Sequence, residues 1–165
     1  MKVAFLTPLP PVRSGIAQYS AMLLPALSGR LDVTAVVQQS LVDPRVGATI
    51  DYSRFVDIKG SYDAVICQLG NNLHHEFIFD FARQNRSIVV LHDLVLHHLI
   101  AEKTLARGNE SAYIDELRRS EGALGEAYAR GRAAGFHLEL ANFLLPAVRE
   151  VAEESLHVIV HNDFA

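Results

Sequence analysis

"YDAVICQLG", residues 62–70, decides the fold. Its apolar, partly β-branched positions run almost without a polar break and end at a glycine. A run of that length and composition is a strand buried on both faces, which occurs where helices cover both sides of a parallel sheet. The same pattern recurs in "KVAFLT" (2–7, stopped by Pro8, Pro10 and Pro11), in "LDVTAVVQ" (31–38) and in "SIVVLH" (87–92). Between these strands lie helical segments. In residues 12–30, Ser14 is placed to cap a helix whose Ile16, Tyr19, Leu23, Leu24 and Leu27 keep helical spacing, with Pro25 as a kink or in the last turn. Residues 74–83 put Phe77, Ile78 and Phe81 on one side. Strands alternating with helices are βαβ units, and they specify a parallel sheet with right-handed crossovers. Residues 39–60 read as irregular, with a turn-rich "VDPRVGA" and a short strand at 55–58.

After Asp93 the alternation stops. Residues 93–107 are apolar and helical, and Asp93 is placed to cap them. Asn109 or Ser111 can start a second, long helix whose stripe of Ile114, Leu117, Leu124 and Tyr128 runs through Gly131. One or two further helices follow in 136–155. The strand pattern then returns in "LHVIVHNDFA" as a last buried strand. The expected fold is α/β, a single Rossmann-like domain over 1–165: a three-layer parallel sheet flanked by helices, with a helical insertion near 93–154. A chain stopping where the next helix of such a fold should begin is expected to be one half of a longer protein.

Composition narrows the function. Of 165 residues, 50% are hydrophobic and 21% charged, ordinary for a soluble domain. The net charge of −4 gives no global attraction to nucleic acid. Cys67, the single cysteine, rules out an internal disulfide and reads as a buried, inert thiol. The N-terminal apolar run is too short for a signal peptide, and no stretch is long enough to span a bilayer, so a cytoplasmic location is expected.

Three segments carry candidate chemistry. In "TPLPPVRSGIAQYS" (7–20), a strand feeds Ser14 and Gly15 at a helix N-terminus, where free N–H groups and the helix dipole favour an anion. The pattern is neither a dinucleotide fingerprint nor a Walker loop, and simple capping explains it equally well. In "QLGNNLHHEF" (68–77), Gly70, Asn71, Asn72 and His75 follow a strand's carboxyl end, where open parallel sheets bind ligands. Asparagine amides both donate and accept, which suits sugar hydroxyls. In "LHDLVLHH" (91–98), His92 ends a strand on the same edge and Asp93 follows it. A metal hydrolase built on His92, Asp93, His97 and His98 would need three or four converging ligands, and a strand end followed by a helix separates them.

In order along the chain, "MKVAFLTPLPPVRSGIAQYSAMLLPAL", "YDAVICQLGNNLHH", "VVLHDLVLHHL" and "VIVHNDFA" resemble the N-terminal domain of retaining glycosyltransferases of family 4, the group 1 enzymes of GT-B fold. The helical insertion is similar to that of a subgroup tied to polysaccharide biosynthesis. The resemblance implies two Rossmann-like halves around a cleft. The N-terminal half holds a saccharide or lipid-linked acceptor, and the C-terminal half, with an E-x7-E motif absent here, binds the nucleotide-sugar donor. It gives Gly15, with Ser14, the side of the donor diphosphate and His92 the reaction centre. It sets Asn71, Asn72 and His75 at the acceptor edge, with Asp93 as a neighbour of His92. No metal and no separate cofactor are implied, and the half alone should be inactive. The amphipathic stretch 93–154 reads as a domain-edge bundle, with peripheral contact to a membrane at its cytoplasmic face as the second reading. An apolar face meant for the missing half would also permit a homodimer. The alternative class is a stand-alone flavodoxin-like domain that binds a small polar ligand without catalysis.

Overall fold

The computed structural model describes residues 1–136 and 138–161; the expected ending "NDFA" lies outside them. Six parallel strands form one sheet: β1 (Lys2–Leu6), β2 (Asp32–Val37), β3 (Thr49–Asp51), β4 (Ala64–Leu69), β5 (Ile88–Leu91) and β6 (His157–Val160). Their order is β3-β2-β1-β4-β5-β6. The near-continuous apolar runs are explained by two cores, one on each face. Val3 and Phe5 of β1 pack with Val33, Ala35 and Val37 of β2 beneath α1 (Gly15–Ser28), through Leu24 and its neighbours. Ala4 and Leu6 point the other way, joining Cys67 and Leu69 of β4. That face is covered by α2 (Tyr52–Ile58), through Phe55, and by α3 (Glu76–Ala82), through Phe77, Ile78 and Phe81. The period-2 alternation of strand side chains thus fills both layers. Cys67 is fully buried, its Sγ reaches Ser87 Oγ at 3.5 Å, and burial raises its thiol to about 12, as an inert thiol requires. Pro25 stands in the last turn of α1.

The insertion between β5 and β6 comprises α4 (His97–Lys103), α5 (Glu110–Ala133), α6 (Ala141–Leu144) and α7 (Arg149–Glu154). Asn109, rather than Ser111, caps α5, its Oδ1 accepting from Ala112 N at 3.1 Å. α5 is not the single long helix expected from its stripe. Gly122 has φ 66 and ψ −147, a region open only to glycine, and there the helix turns back. Arg132 Nη1 lies 3.2 Å from Tyr113 Oη, although nineteen residues of straight helix would separate them by about 28 Å. Leu124, counted in the stripe, is exposed as a result.

Three further expectations are corrected. The short strand lies at Thr49–Asp51, and 55–58 belong to α2: Asp51 Oδ1 caps that helix through Ser53 N at 2.9 Å, and Phe55 turns into the aromatic cluster with Tyr52, Tyr62 and Phe81. Asp93 does not cap a helix, because α4 starts only at His97; residues 92–96 form a bend pinned by Leu96 N donating to Pro146 O at 2.7 Å. Finally, β6 is not buried. It pairs with β5 on one side only, and Val158 and Ile159 remain 41% and 48% exposed.

Candidate functional site

The strand order reverses between β1 and β4, and the crevice beyond their carboxyl ends is where such sheets bind ligands. On the β1 side, the chain from Thr7 climbs to α1, whose start is held over the strand by Ser20 Oγ and Thr7 Oγ1 at 2.6 Å. An open pocket of about 450 Å³ runs from Pro10 to Gly15 and reaches Gln18. Ser14 occupies the N-cap position with extended backbone, but its hydroxyl makes no capping bond. A Cβ on Gly15 would meet nothing within 4 Å. Packing therefore does not explain that glycine, whereas a group approaching the backbone would.

On the β4 side, Gly70 answers a real constraint. A Cβ there would stand 2.3 Å from Ile16 Cδ1 and 3.0 Å from His75 Nε2, so any larger residue would have to displace the Ile16 side chain and press on the His75 ring. Asn71 holds the rim together: its N–H donates to Asp93 Oδ2 at 3.1 Å, and its Oδ1 accepts from Leu99 N at 2.9 Å. Asn72 Oδ1 accepts from His74 N at 3.0 Å, capping a single 3₁₀ turn at Leu73–His75. Both asparagines thus spend their oxygens on the scaffold and keep their amide donors. His75 is fully buried and donates from Nδ1 to Gln68 O at 2.9 Å, which makes Nε2 an acceptor with no partner among the described residues. It is a support for the site rather than part of its surface.

His92 stands at the centre. Its backbone N–H donates to Leu69 O at 2.9 Å, and its Nε2 lies 2.8 Å from Gln68 Oε1. With that oxygen as acceptor, Nε2 carries the proton and Nδ1 is left as the acceptor. Burial, then the neighbouring His161, press its ring down to about 4 against the opposing pull of Asp93, so it is neutral at pH 7. Tyr19 meets it edge-on at 5.0 Å between ring centres, and His161 lies at 4.7 Å. Tyr19 is one helical turn beyond Gly15, so α1 carries both the open backbone of its first turn and a wall of the His92 site.

Tyr19, Gln68 and His161 were not singled out from sequence. His161 could have been, since Leu91 and Val160 are register partners and the residue after each is a histidine. The seven residues expected to be functional divide cleanly. His92, Asp93 and Asn71 converge at the rim, Asn72 flanks them, Ser14 and Gly15 line the neighbouring pocket, and His75 lies beneath. His97 and His98 separate from the set, as the strand-to-helix junction implies: His97 is buried against Leu145 O at 2.8 Å, and His98 is exposed. Among the described residues, no group of three His, Cys, Asp or Glu side chains is placed to hold a metal ion, and no helix is long and apolar enough to cross a membrane.

No family model, curated protein or solved structure matches the chain. Its parallel, helix-flanked sheet is Rossmann-like in general kind.

His75 gives the site a pH dependence. Burial holds its imidazole down at about 4, against 6.5 for the free side chain. The unfolded chain therefore binds more protons between those values, and stability falls as pH drops from about 6.5 to about 4. The loss is about 3 kcal/mol from this residue. Urea unfolding at pH 7 and pH 4 measures it, and His75→Asn should remove its share of the slope while leaving that of His92, which burial also holds at about 4. An unchanged slope in the variant would remove His75 as its cause.

Proposed function

We propose that this domain is the acceptor-side half of a retaining glycosyltransferase of GT-B type, which moves a sugar from a nucleotide-sugar to a saccharide or lipid-linked acceptor. One observation carries the reading: a neutral, half-buried His92 stands at a strand's carboxyl end, walled by Tyr19, one turn along the helix from the open Gly15. Its free Nδ1 is suited to accept a hydrogen bond from a sugar hydroxyl at the reaction centre. The rings of Tyr19 and His161 offer apolar faces to the sugar ring, and the amide donors of Asn71 and Asn72 are free for acceptor oxygens. Gly15, with Ser14, would border the donor diphosphate, whose charge a helix N-terminus favours. Leaving-group charge would be met by fixed dipoles and cations. Transfer needs a donor-binding half, and in this reading the domain alone is inactive.

In a protein that joins this domain to such a half, His92→Ala should lower transfer about a hundredfold. Gly15→Val should do likewise by about the same factor through misplaced donor, with an unfolding midpoint unchanged because its side chain enters open space. Wild-type rates in both variants, measured by nucleotide release, would reject the reading.

A further inference from the structure

The folded-back α5 builds a second polar centre away from His92. His97 Nε2 lies 2.6 Å from Tyr113 Oη. Into that pair Arg132 inserts Nη1, at 3.2 Å from Tyr113 Oη, 3.3 Å from His97 Nε2 and 3.1 Å from Asn142 Oδ1. Its guanidinium also lies over the Tyr113 ring at 5.5 Å. Tyr113, His97 and Asn142 are all buried. Burial raises the Tyr113 phenol to about 12 against the pull of Arg132, so the phenol carries no charge to neutralise the arginine.

Arg132 is singular in this respect. The other partly buried arginine, Arg83, is paired with Glu116 and Glu150. Arg45, Arg107, Arg118, Arg119, Arg130 and Arg149 each have a carboxylate. Arg13, Arg30, Arg54 and Arg86 are exposed to water. Among the described arginines only Arg132 is both partly buried and without a carboxylate, although the chain carries an excess of acidic residues. A desolvated cation is costly unless something anionic pairs with it. The last-turn carbonyls of α5 are favourable neighbours, but the head group bonds Tyr113 and Asn142 instead, and its Nη2 and Nε are free of bonds among the described residues. Arg132 lines a pocket of about 370 Å³, shared with His98, Glu139, Asn142 and Phe143. Three polar contacts fix one nitrogen and aim the remaining fork, which is the preorganisation that oxyanion recognition requires.

We infer that this pocket is a subsite for a carboxylate or phosphate group on a sugar ligand. Arg132 engages two of its oxygens, His98 and Asn142 border it, and the 67% exposed Phe143 offers a face to the attached ring. The subsite stands on Arg132 and its surroundings. That the anionic group belongs to the acceptor rests on the glycosyltransferase reading, and follows from the short bend 92–96 that joins His92 to the start of α4, where His98 stands. An acceptor built from uronic acids, or one bearing a sugar phosphate, is the class selected.

Titration of the chain with glucuronate, glucose 1-phosphate, inorganic phosphate and neutral glucose, followed by calorimetry and amide NMR, tests this. One or both anionic sugars should bind with shifts at Arg132, Asn142 and Phe143, and glucose should not. Binding of glucuronate alone assigns a carboxylate, and binding of glucose 1-phosphate alone assigns a phosphoryl group. Binding of inorganic phosphate as tightly as the sugar phosphate would overturn the sugar subsite. Arg132→Gln should weaken binding about tenfold or more. Because Arg132 also supports the insertion, Glu139→Gln provides a variant outside the network, and removing its charge should tighten binding about threefold. Equal binding of glucose and glucuronate, or indifference to both substitutions, would overturn the subsite. Transfer assays on the two-half protein read the other proposal separately: transfer to neutral acceptors only would leave the glycosyltransferase reading standing without the anion subsite.

Discussion

Gly125→Ala is expected to cost on the order of 4 kcal/mol, at the upper end of single substitutions. Where α5 turns back at Gly122, Gly125 packs directly against the helical segment it has left. A Cβ there would stand 2.3 Å from the Leu117 carbonyl oxygen and 2.6 Å from Glu121 Cβ. The first of these is backbone, which cannot rotate away, so the two segments must part. Parting them withdraws Arg132 from Tyr113 and loosens the loop that Glu121 Oε1 holds by accepting from Ala147 N at 2.7 Å. Gly131 supplies the control. It lies in the same helix with its nearest neighbour 4.0 Å from a built Cβ, so Gly131→Ala should be neutral or stabilise by about 0.5–1 kcal/mol. Opposite signs for two identical substitutions in one helix, measured by urea unfolding, are the signature of the hairpin. Equal, small effects would mean that α5 is straight.

Arg83→Ala should be almost as damaging. Arg83 follows α3 and joins it to the insertion. Its Nη1 donates to both oxygens of Glu116 in α5 at 3.0 and 2.8 Å, and its Nη2 to Glu150 in α7 at 3.2 Å. Its side chain is 13% exposed and that of Glu116 10%. Removing the guanidinium leaves Glu116 to the more exposed Arg119, at 3.0 Å. Truncating one partner of a buried pair costs about 3–5 kcal/mol, largely because the other charge is stranded, while replacing both by apolar groups of similar volume is far milder. The double variant Arg83→Met, Glu116→Leu should therefore be more stable than Arg83→Ala. If the double variant is the worse of the two, the network contributes more than the relief of a stranded charge.

The parts of the fold legible in sequence were those fixed by local pattern. β1, β2, β4 and β5 announce themselves because a strand covered on both faces is apolar at nearly every position, and α3 because Phe77, Ile78 and Phe81 share a face. Segments governed by distant partners were not legible. Phe55 belongs to a helix because Tyr52, Tyr62 and Phe81 receive it, which no local period records. β6 has the apolar composition of a buried strand but sits at the sheet edge, and composition does not encode position in the order. Gly122 interrupts α5 without disturbing its hydrophobic spacing. For the site, His92 was legible from its place at a strand end, whereas Tyr19 and His161 become its neighbours only through the stacking of α1, β5 and β6. Asp93 was assigned to the wrong partner because its proximity to a helix in sequence hid its proximity to Asn71 in space.

Cys67 turns the central sheet into its own reporter. The thiol sits in β4 between β1 and β5, without exposure and held protonated, so a thiol-specific reagent can reach it only when those strands separate. Under native conditions its labelling rate counts rare, near-global openings and is blind to local breathing of the insertion. Because the chain has no second cysteine, the clock needs no engineering. Comparing it with amide exchange in α5 and α6 would tell whether the inserted helices melt as a separate cooperative unit while the sheet stays shut.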